Sequence, residues 1–174
     1  MANHAADNVA ESKAAHDEPT TLRLETFLPY RVNVLASLVS QALTRIYAER
    51  YKIGVPEWRV LVTLGQFGVM TGKAIGIHSH MHKTKVSRAV TMLERRKLVS
   101  RKSNSEDLRE AFLSLTPAGR EIYDQLAPAA LAFGRELMEV VDPADRPALD
   151  RALTRLTERS TRLVAELATR PDRR

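Results

Sequence analysis

The sequence predicts a mainly α-helical protein with one small β-hairpin. Apolar residues recur at spacings of three and four over most of the chain, as they do on the buried face of a helix. Two short segments of β-forming residues flank one polar turn, which is typical of a hairpin. Several prolines stand where the helical pattern restarts, the position that favours a new helix. The 174 residues, 44% hydrophobic and 28% charged, suit one medium globular domain or two lobes that share a core.

Two helices are predicted in the first part of the chain. An amphipathic helix lies within residues 22–52, and its apolar positions are Leu28, Val32, Leu35, Val39, Ala42 and Ile46. The Ile53-Gly54-Val55 segment interrupts that pattern. Pro56 suits the first position of a second helix, and Glu57 is favourable in its first turn. This second helix closes around residues 65–68, where glycines recur.

Two shorter helices are predicted next. Thr71 is suited to cap a third helix that runs through Ile75. A fourth helix begins near His82 or Lys83. Its apolar face carries Val86, Val90 and Leu93. Two consecutive short helices joined by a tight turn are typical of a helix-turn-helix.

A hairpin and two long helices complete the predicted order. Residues 98–102 and 110–115 are too short and too rich in β-forming residues for helices, and the polar Ser-Asn-Ser-Glu-Asp turn at 103–107 separates them. Thr116-Pro117 supplies a cap and a first-turn proline for a fifth helix, and Asp142-Pro143 repeats the signal for a sixth. A hairpin after a helix-turn-helix predicts a winged helix-turn-helix lobe.

The sixth helix carries a heptad-like seam at spacings of four and three. Its leucines are Leu149, Leu153, Leu156, Leu163 and Leu167, with Ser160 as one polar position. Such a seam pairs with another helix, so we predict a homodimer held by these residues. The predicted organisation is a mobile arm at 1–20, a winged helix-turn-helix DNA-binding lobe at 54–116, a helical dimerisation region at 22–52 and 117–168, and a frayed tail at 169–174.

The positive charge of the chain is concentrated in one segment. Residues 82–109 hold nine Lys and Arg and three Asp and Glu, so they carry +6, which equals the net charge of the whole chain. A local excess of this kind favours contact with a polyanion. Because the N-terminal end of a recognition helix enters the major groove, we predict double-stranded DNA contacts there. The candidates are Lys83, Thr84, Lys85, Ser87 and Arg88 on the helix, with Arg101, Lys102 and Arg109 on the hairpin.

Several other classes of protein are excluded or disfavoured. Cysteine is absent, which excludes disulfides, thiol chemistry and cysteine-ligated zinc. The chain lacks a glycine-rich phosphate loop, a dinucleotide fingerprint and a Gly-x-Ser-x-Gly motif, so we expect neither an enzyme nor a cofactor. No apolar run is long enough to span a membrane. The N-terminus has no signal-peptide pattern, so we expect a cytoplasmic protein.

Three histidines, His78, His80 and His82, stand at alternate positions. Alternate residues share a face only in a strand or an extended loop, whereas this run crosses a predicted helix end and a turn. We therefore predict no metal site, and we expect His80 and His82 to be turn and capping residues. Whether the run binds metal or senses pH stays open from the sequence alone.

Residues 55–121 resemble the winged helix-turn-helix of the MarR family of bacterial transcriptional regulators. The matching pieces are PEWRVL, KTKVSRAVTMLERRKLV, the Asp-x-Arg of Asp107 to Arg109, and LSLTPAGRE. With the flanking helices, the resemblance covers residues 22–168. It implies an obligate homodimer that binds palindromic operators, commonly represses nearby genes, and is released by small anionic, often phenolic, ligands.

This chain departs from the family pattern at four places. His82 stands where the family usually has an acidic residue, and Ser79-His80 stand where leucine and glycine are usual. Lys85 occupies a position where a small hydroxyl residue is common. The hairpin keeps only the second arginine of the usual Asp-Arg-Arg, in the form Asp107-Leu108-Arg109. These departures bear on the turn geometry and on base preference.

The resemblance also implies an effector pocket between the dimer helices and the winged lobe. The candidates are Tyr30, Arg31, Trp58 and His78. Arg31 would bind a carboxylate and Trp58 would form an aromatic wall; the alternative is that Trp58 is a core residue and Arg31 an exposed charge. The segment LPYRVNVLASLVSQALTRIY is similar to a branch linked to aromatic-acid breakdown, which implies an aromatic carboxylate or a CoA thioester.

Two other functions fit the basic segment. A non-specific architectural DNA-binding protein would show strong salt dependence and no sequence preference. A constitutive regulator would bind its operator without any effector. The acidic turn of the hairpin argues against the architectural protein.

Overall fold

A computed structural model describes residues 21–103 and 110–169. Its described residues form six α helices and a three-stranded antiparallel sheet, which confirms the mainly α fold with a small hairpin. The elements are α1 Leu28–Tyr51, α2 Val55–Phe67, β1 Met70–Thr71, α3 Gly72–Ser79, α4 Lys83–Arg95, β2 Val99–Ser103, β3 Ala111–Leu115, α5 Pro117–Leu137 and α6 Arg146–Ala168. A 3₁₀ turn, Met138–Val140, follows α5. The predicted arm at 1–20 and residues 170–174 of the predicted tail lie outside the described residues.

Side-chain caps begin three of the helices. The Thr71 hydroxyl accepts a hydrogen bond from the amide of Ala74, at 3.2 Å, at the start of α3. The Thr116 hydroxyl accepts one from the amide of Gly119, at 3.1 Å, at the start of α5. His82 caps α4. These bonds satisfy amides that have no partner within the helix, so the start signals predicted at these positions are confirmed.

The sixth helix begins later than its start signal predicts. The carboxylate of Asp142 accepts a hydrogen bond from the amide of Ala144, at 2.8 Å. That bond closes a turn before the helix, and α6 itself begins at Arg146 without a side-chain cap. Asp and Asn form local turns of this kind as readily as helix caps, and the sequence signal does not separate the two.

The sheet has the order β1-β3-β2. Strand β3 pairs with β2 in the register Arg101 opposite Leu113, and with β1 in the register Met70 opposite Leu113. The hairpin is therefore as predicted, and β1 is an additional strand. A strand of two residues has no periodicity to recognise, which is why the sequence does not predict it.

The core lies between α2, α3, α4 and the sheet. Leu61, Leu64, Ile75 and Leu93 are completely buried there. The core also includes Tyr47 of α1 and Leu126 of α5. At the start of α5 a side chain at Gly119 would overlap the carbonyl of Leu98, so glycine permits the close approach of α5 to the chain just before β2.

The chain divides into two compact units, residues 1–41 and 42–174. In the first unit, the described residues form a turn and the first part of α1, and all of residues 21–38 are exposed. The second unit contains the sheet, the remaining helices and the last part of α1. Within it, α6 has no buried residue. None of the described helices is long and apolar enough to span a membrane.

Candidate nucleic-acid interface

The recognition helix α4 separates its apolar and polar residues cleanly. Its buried residues are Val86, Ala89, Val90 and Leu93. The side chains predicted to contact DNA are all exposed, and they are Lys83, Thr84, Lys85, Ser87 and Arg88. The helix therefore presents a continuous cationic and hydroxyl surface at its N-terminal end, where the helix dipole also favours anions.

A second part of the surface is the hairpin. Arg101 lies on β2, and its guanidinium binds the carboxylate of Glu94 on α4 through Nε at 2.8 Å and through a terminal nitrogen at 3.0 Å. The hydrogen bond to Glu94 is the main cause of a raised pKa for Arg101. Lys102 is exposed beside it. The predicted DNA contact Arg109 lies outside the described residues.

A cavity of about 560 Å³ lies between α3, α4 and the hairpin. Its floor is apolar and includes Met81, Val86, Val90 and Leu113. Its charged residues are Lys73, Lys83, Arg101 and Glu110. Arg101 is paired with Glu94, so the lysines Lys73 and Lys83 exceed the single carboxylate Glu110 in the lining, and the cleft favours an anion such as a phosphate group.

The residues predicted for an effector pocket lie in different environments. Trp58 is 9% exposed and stacks on Tyr47, with ring centroids 5.0 Å apart, so the structure places it in the core. His78 is exposed at the end of α3 and packs against Phe67, with ring centroids 4.4 Å apart. Tyr30 and Arg31 are exposed on the first part of α1.

His78 borders a cleft of about 300 Å³ between α2 and α3. The cleft combines an aromatic wall, Phe67, with a cation, Arg59, whose guanidinium donates to the carbonyl of Ser79 at 3.4 Å. Sequence reasoning missed both residues. Arg59 follows Trp58 directly, and the helical period places it one step round α2 from that buried ring, so the signal for an exposed cation was present.

Comparisons with known proteins find similarity to one family. A family model described as MarR family matches residues 53–111. The crystal structure of a MarR/EmrR family transcriptional regulator from Acinetobacter sp. ADP1 is 25% identical, with a TM-score of 0.74 over 81% of this chain and 99% of that chain. The family match covers 59 of the 174 residues, so the winged helix-turn-helix lobe of this chain is similar to that of the MarR family.

Other solved structures share this fold at lower identity. BpsR of Bordetella bronchiseptica, described with 6-hydroxynicotinic acid as regulator of its DNA binding, is 22% identical with a TM-score of 0.62, over 73% of this chain and 98% of that chain. NadR in complex with 4-hydroxyphenylacetate is 20% identical with a TM-score of 0.66, over 80% and 97%. A search of curated proteins found no match. The matched family and the Acinetobacter structure are those of transcriptional regulators, not of enzymes, which agrees with the expectation from the sequence.

The turn between α3 and α4 accommodates the departures of this chain from the family pattern. His80 adopts the left-handed conformation, with φ 50° and ψ 42°. Histidine is one of the residues that tolerate it at moderate cost, whereas glycine does so freely. Its amide and that of Met81 donate to the carbonyls of Ile77 and Gly76, which close α3.

His82 replaces the family's usual acidic residue without losing the cap. Its Nδ1 accepts a hydrogen bond from the amide of Thr84, at 3.3 Å. His78, His80 and His82 therefore have three separate local environments. In the part of the chain that the structure describes, no group of three His, Asp or Glu residues is arranged to hold a metal ion.

Proposed function

We propose that this protein is a dimeric, sequence-specific DNA-binding regulator of the MarR family that acts in the cytoplasm, represses nearby genes and is released by a small anionic ligand. The single observation that carries the proposal is the exposed cationic and hydroxyl surface at the start of α4 within a winged helix-turn-helix. A recognition helix with that surface enters the major groove, where side chains reach base edges.

The contacts divide into base reading and backbone positioning. Arg88 lies one turn into α4 on its exposed side, and we assign it to a base edge because arginine reads guanine through two hydrogen bonds. Lys83 and Lys85, at the first turn, are assigned to phosphates. The hairpin extends the contact to the adjacent minor groove, where Arg109 would favour narrow A·T-rich stretches.

Exposed apolar side chains support dimerisation. Leu153 and Leu156 are 52% and 42% exposed in the middle of α6, although leucine is usually buried. Leu163 and Leu167 continue the same seam and are also exposed. A contiguous apolar stripe of this kind on a long helix marks an interaction surface. A second copy of α6 provides a complementary stripe, and the resulting two-fold symmetry matches a palindromic operator.

We propose a small aromatic carboxylate, or its CoA thioester, as the effector. Support comes from BpsR and NadR, which share the fold and are described with 6-hydroxynicotinic acid and 4-hydroxyphenylacetate. Tyr30, Arg31, Trp58 and His78 remain the proposed residues. Of these, His78 lies beside the cation Arg59 and the ring of Phe67, a combination that suits an aromatic anion. Trp58 would support the site from the core.

The ligand need not touch DNA. Two recognition helices in one dimer reach successive major grooves only about 34–36 Å apart. A ligand that prefers a dimer with another spacing shifts the population away from the DNA-binding state. A 100-fold preference would weaken operator binding by up to about 2.7 kcal/mol, within the usual range of coupling free energies.

Selection from a random duplex library tests the DNA-binding proposal. The purified protein should enrich an inverted repeat, and the enriched duplex should stay bound in the presence of excess unrelated DNA. A Lys83→Ala, Arg88→Ala double variant should lose the enrichment, whereas Arg135→Ala, an exposed change on α5, should keep it. Equal binding to every sequence, with a steep salt dependence, would instead indicate the non-specific architectural protein.

A thermal-shift screen followed by paired titrations tests the effector proposal. The probes are 4-hydroxyphenylacetate, 6-hydroxynicotinate, benzoate and benzoyl-CoA. A probe that raises the unfolding temperature should bind more weakly when the selected operator is present, by the same factor by which it weakens operator binding. Equal affinity with and without operator would contradict the release mechanism. Failure of every probe would favour a constitutive regulator.

A further inference from the structure

Arg96, the residue that caps the C-terminal end of α4, contacts the end of a different helix. Its guanidinium donates to the carbonyl of Tyr51 at 2.7 Å and to the carbonyl of Lys52 at 3.0 Å. Those carbonyls terminate α1, because Lys52 takes the left-handed conformation with φ 50°. Terminal carbonyls of a helix lack partners within the helix, and a cation there also complements the helix dipole. Arg96 therefore ties the end of α4 to the end of α1.

The same junction is bound to α5. The phenol of Tyr51 donates to the side-chain carbonyl of Gln125 at 2.8 Å. The amide of Gln125 donates in turn to the carboxylate of Glu121 at 3.2 Å. Tyr51 thus receives Arg96 at its backbone and holds α5 with its side chain. Arg96, at the end of α4, therefore contacts the junction between α1 and α5, two helices of the proposed dimerisation region.

The chain between Arg96 and the wing is also fixed in place. Lys97 adopts a left-handed conformation with φ 57°, and its carbonyl accepts a hydrogen bond from the Thr116 hydroxyl at 2.7 Å. The amide of Leu98 donates to the carbonyl of Leu93 at 2.9 Å. The C-terminal end of α4 therefore has little freedom of its own, and a change in the direction of α1 would be passed to α4 through Arg96.

We propose that Arg96 is a positioning residue that sets the spacing of operator half-sites which the dimer accepts. This inference rests on the proposed dimeric DNA-binding function. Each base pair added between two half-sites moves them about 3.4 Å apart and turns one against the other by about 34–36°. Only a dimer whose recognition helices have a fixed orientation can discriminate between such sites. The two hydrogen bonds from Arg96 supply that orientation at the end of α4.

Three variants separate positioning from general stability. Arg96→Ala removes both hydrogen bonds, and Arg96→Lys keeps the charge but replaces the planar two-nitrogen donor. Arg95→Ala is the matched control, because it removes the same charge at the preceding residue, whose exposed side chain has no hydrogen bond or ion pair with any residue that the structure describes. Each variant is first checked by sedimentation for an intact dimer and by circular dichroism for native helix content.

The measurement is the dissociation constant on five duplexes. They carry the selected inverted repeat at its native spacing and with one or two base pairs added or removed at the centre. For the parent and Arg95→Ala, affinity should fall steeply away from the native spacing. For Arg96→Ala, the ratio between native and altered spacings should shrink by about tenfold, the scale of one charge-assisted hydrogen bond, and Arg96→Lys should lie between.

The outcomes distinguish failure of the proposed dimeric function from failure of the positioning role of Arg96. If the parent itself shows no spacing preference, the proposed dimeric function fails. If the parent discriminates and Arg96→Ala keeps the same ratio, even with weaker binding at every spacing, Arg96 only stabilises the fold and the inference is wrong. A variant that no longer dimerises or folds is replaced by Arg96→Gln, which keeps a polar amide donor on a shorter side chain that does not reach both carbonyls, and the same ratio decides.

Discussion

The carboxylate of Glu94 holds the guanidinium of Arg101 through two nitrogens, at 2.8 Å and 3.0 Å. The two residues are seven apart in sequence and belong to different elements, α4 and β2. Their side chains are 27% and 48% exposed, so the pair contributes little to the free energy of unfolding. It leaves one terminal nitrogen of Arg101 free to donate elsewhere. The pair therefore orients a wing arginine beside the recognition helix.

Arg101 and Glu94 should differ in their effect on DNA binding. Arg101→Ala should lower the slope of log affinity against log salt by about one, because one phosphate contact is lost. Glu94→Ala should leave that slope unchanged, because Glu94 itself contacts no phosphate. Titrations of the selected operator between low and high salt measure both. An unchanged slope for Arg101→Ala would mean that Arg101 contacts no phosphate and only forms the ion pair with Glu94.

Arg88 should determine base preference. Arg88→Ala should cost about 1–3 kcal/mol per half-site and should relax the preference at one operator position. Arg88→Lys is the matched control, since it keeps the charge but not the two-nitrogen geometry that reads guanine. Both variants are titrated against a panel of single-base operator changes. A uniform loss on every sequence for Arg88→Ala, with full rescue by Arg88→Lys, would mean that Arg88 contacts phosphate only.

The effect of Arg109, which lies outside the described residues, should depend on the base composition of the operator flanks. Arg109→Ala removes a cation that narrow minor grooves attract. Affinity should therefore fall more on sites with A·T-rich flanks than on sites with G·C-rich flanks. The comparison uses two duplexes that share the same half-sites. A loss of equal size on both would show that the wing does not sense groove width.

Leu156 should be essential for the dimer. Leu156→Asp places a charge in the proposed apolar contact, which costs several kcal/mol if the contact is buried. Thr154→Asp introduces the same charge two residues away, off the seam, and should be tolerated. Sedimentation at matched concentrations should show monomers for Leu156→Asp alone, with DNA binding lost in parallel. An intact Leu156→Asp dimer would contradict the seam.

Replacement of His80 with glycine should stabilise the folded protein. The left-handed conformation costs a residue with a Cβ about 1–2 kcal/mol, and the greater flexibility of unfolded glycine offsets part of that gain. His80→Gly should therefore raise the free energy of unfolding by about 0.5–1 kcal/mol. His78→Gly, within α3, should lower it by up to about 1 kcal/mol. Urea unfolding at fixed protein concentration measures both changes, and destabilisation by His80→Gly would contradict the assignment.

Periodicity and start signals predicted most of the fold. The four-then-three spacing of α6 and the caps at Thr71 and Thr116 each identify an element from local residues alone. The start of α6 and the two-residue strand β1 were not predicted, because the first depends on which of two local hydrogen-bond patterns Asp142 adopts and the second has no pattern.

The site was predictable only in part. The cationic residues of α4 follow from composition and from the helical face, since both are local properties. The partners of Arg96 and Arg101 depend on how separate elements pack, which no spacing encodes. Trp58 illustrates the same limit: the sequence allows both a pocket wall and a core residue, and its stacking on Tyr47 of another helix decides where it lies.

Hydroxyl-radical footprinting on the selected operator tests most directly whether a symmetric dimer reads DNA through α4. The protein should protect two stretches on one face of the duplex, centred about one helical turn apart, ~34–36 Å. Protection should persist in excess unrelated DNA and should disappear together at both stretches for Leu156→Asp. Uniform protection along the duplex that is lost in excess unrelated DNA would contradict sequence-specific binding. A single protected stretch that persists with Leu156→Asp would contradict binding as a dimer.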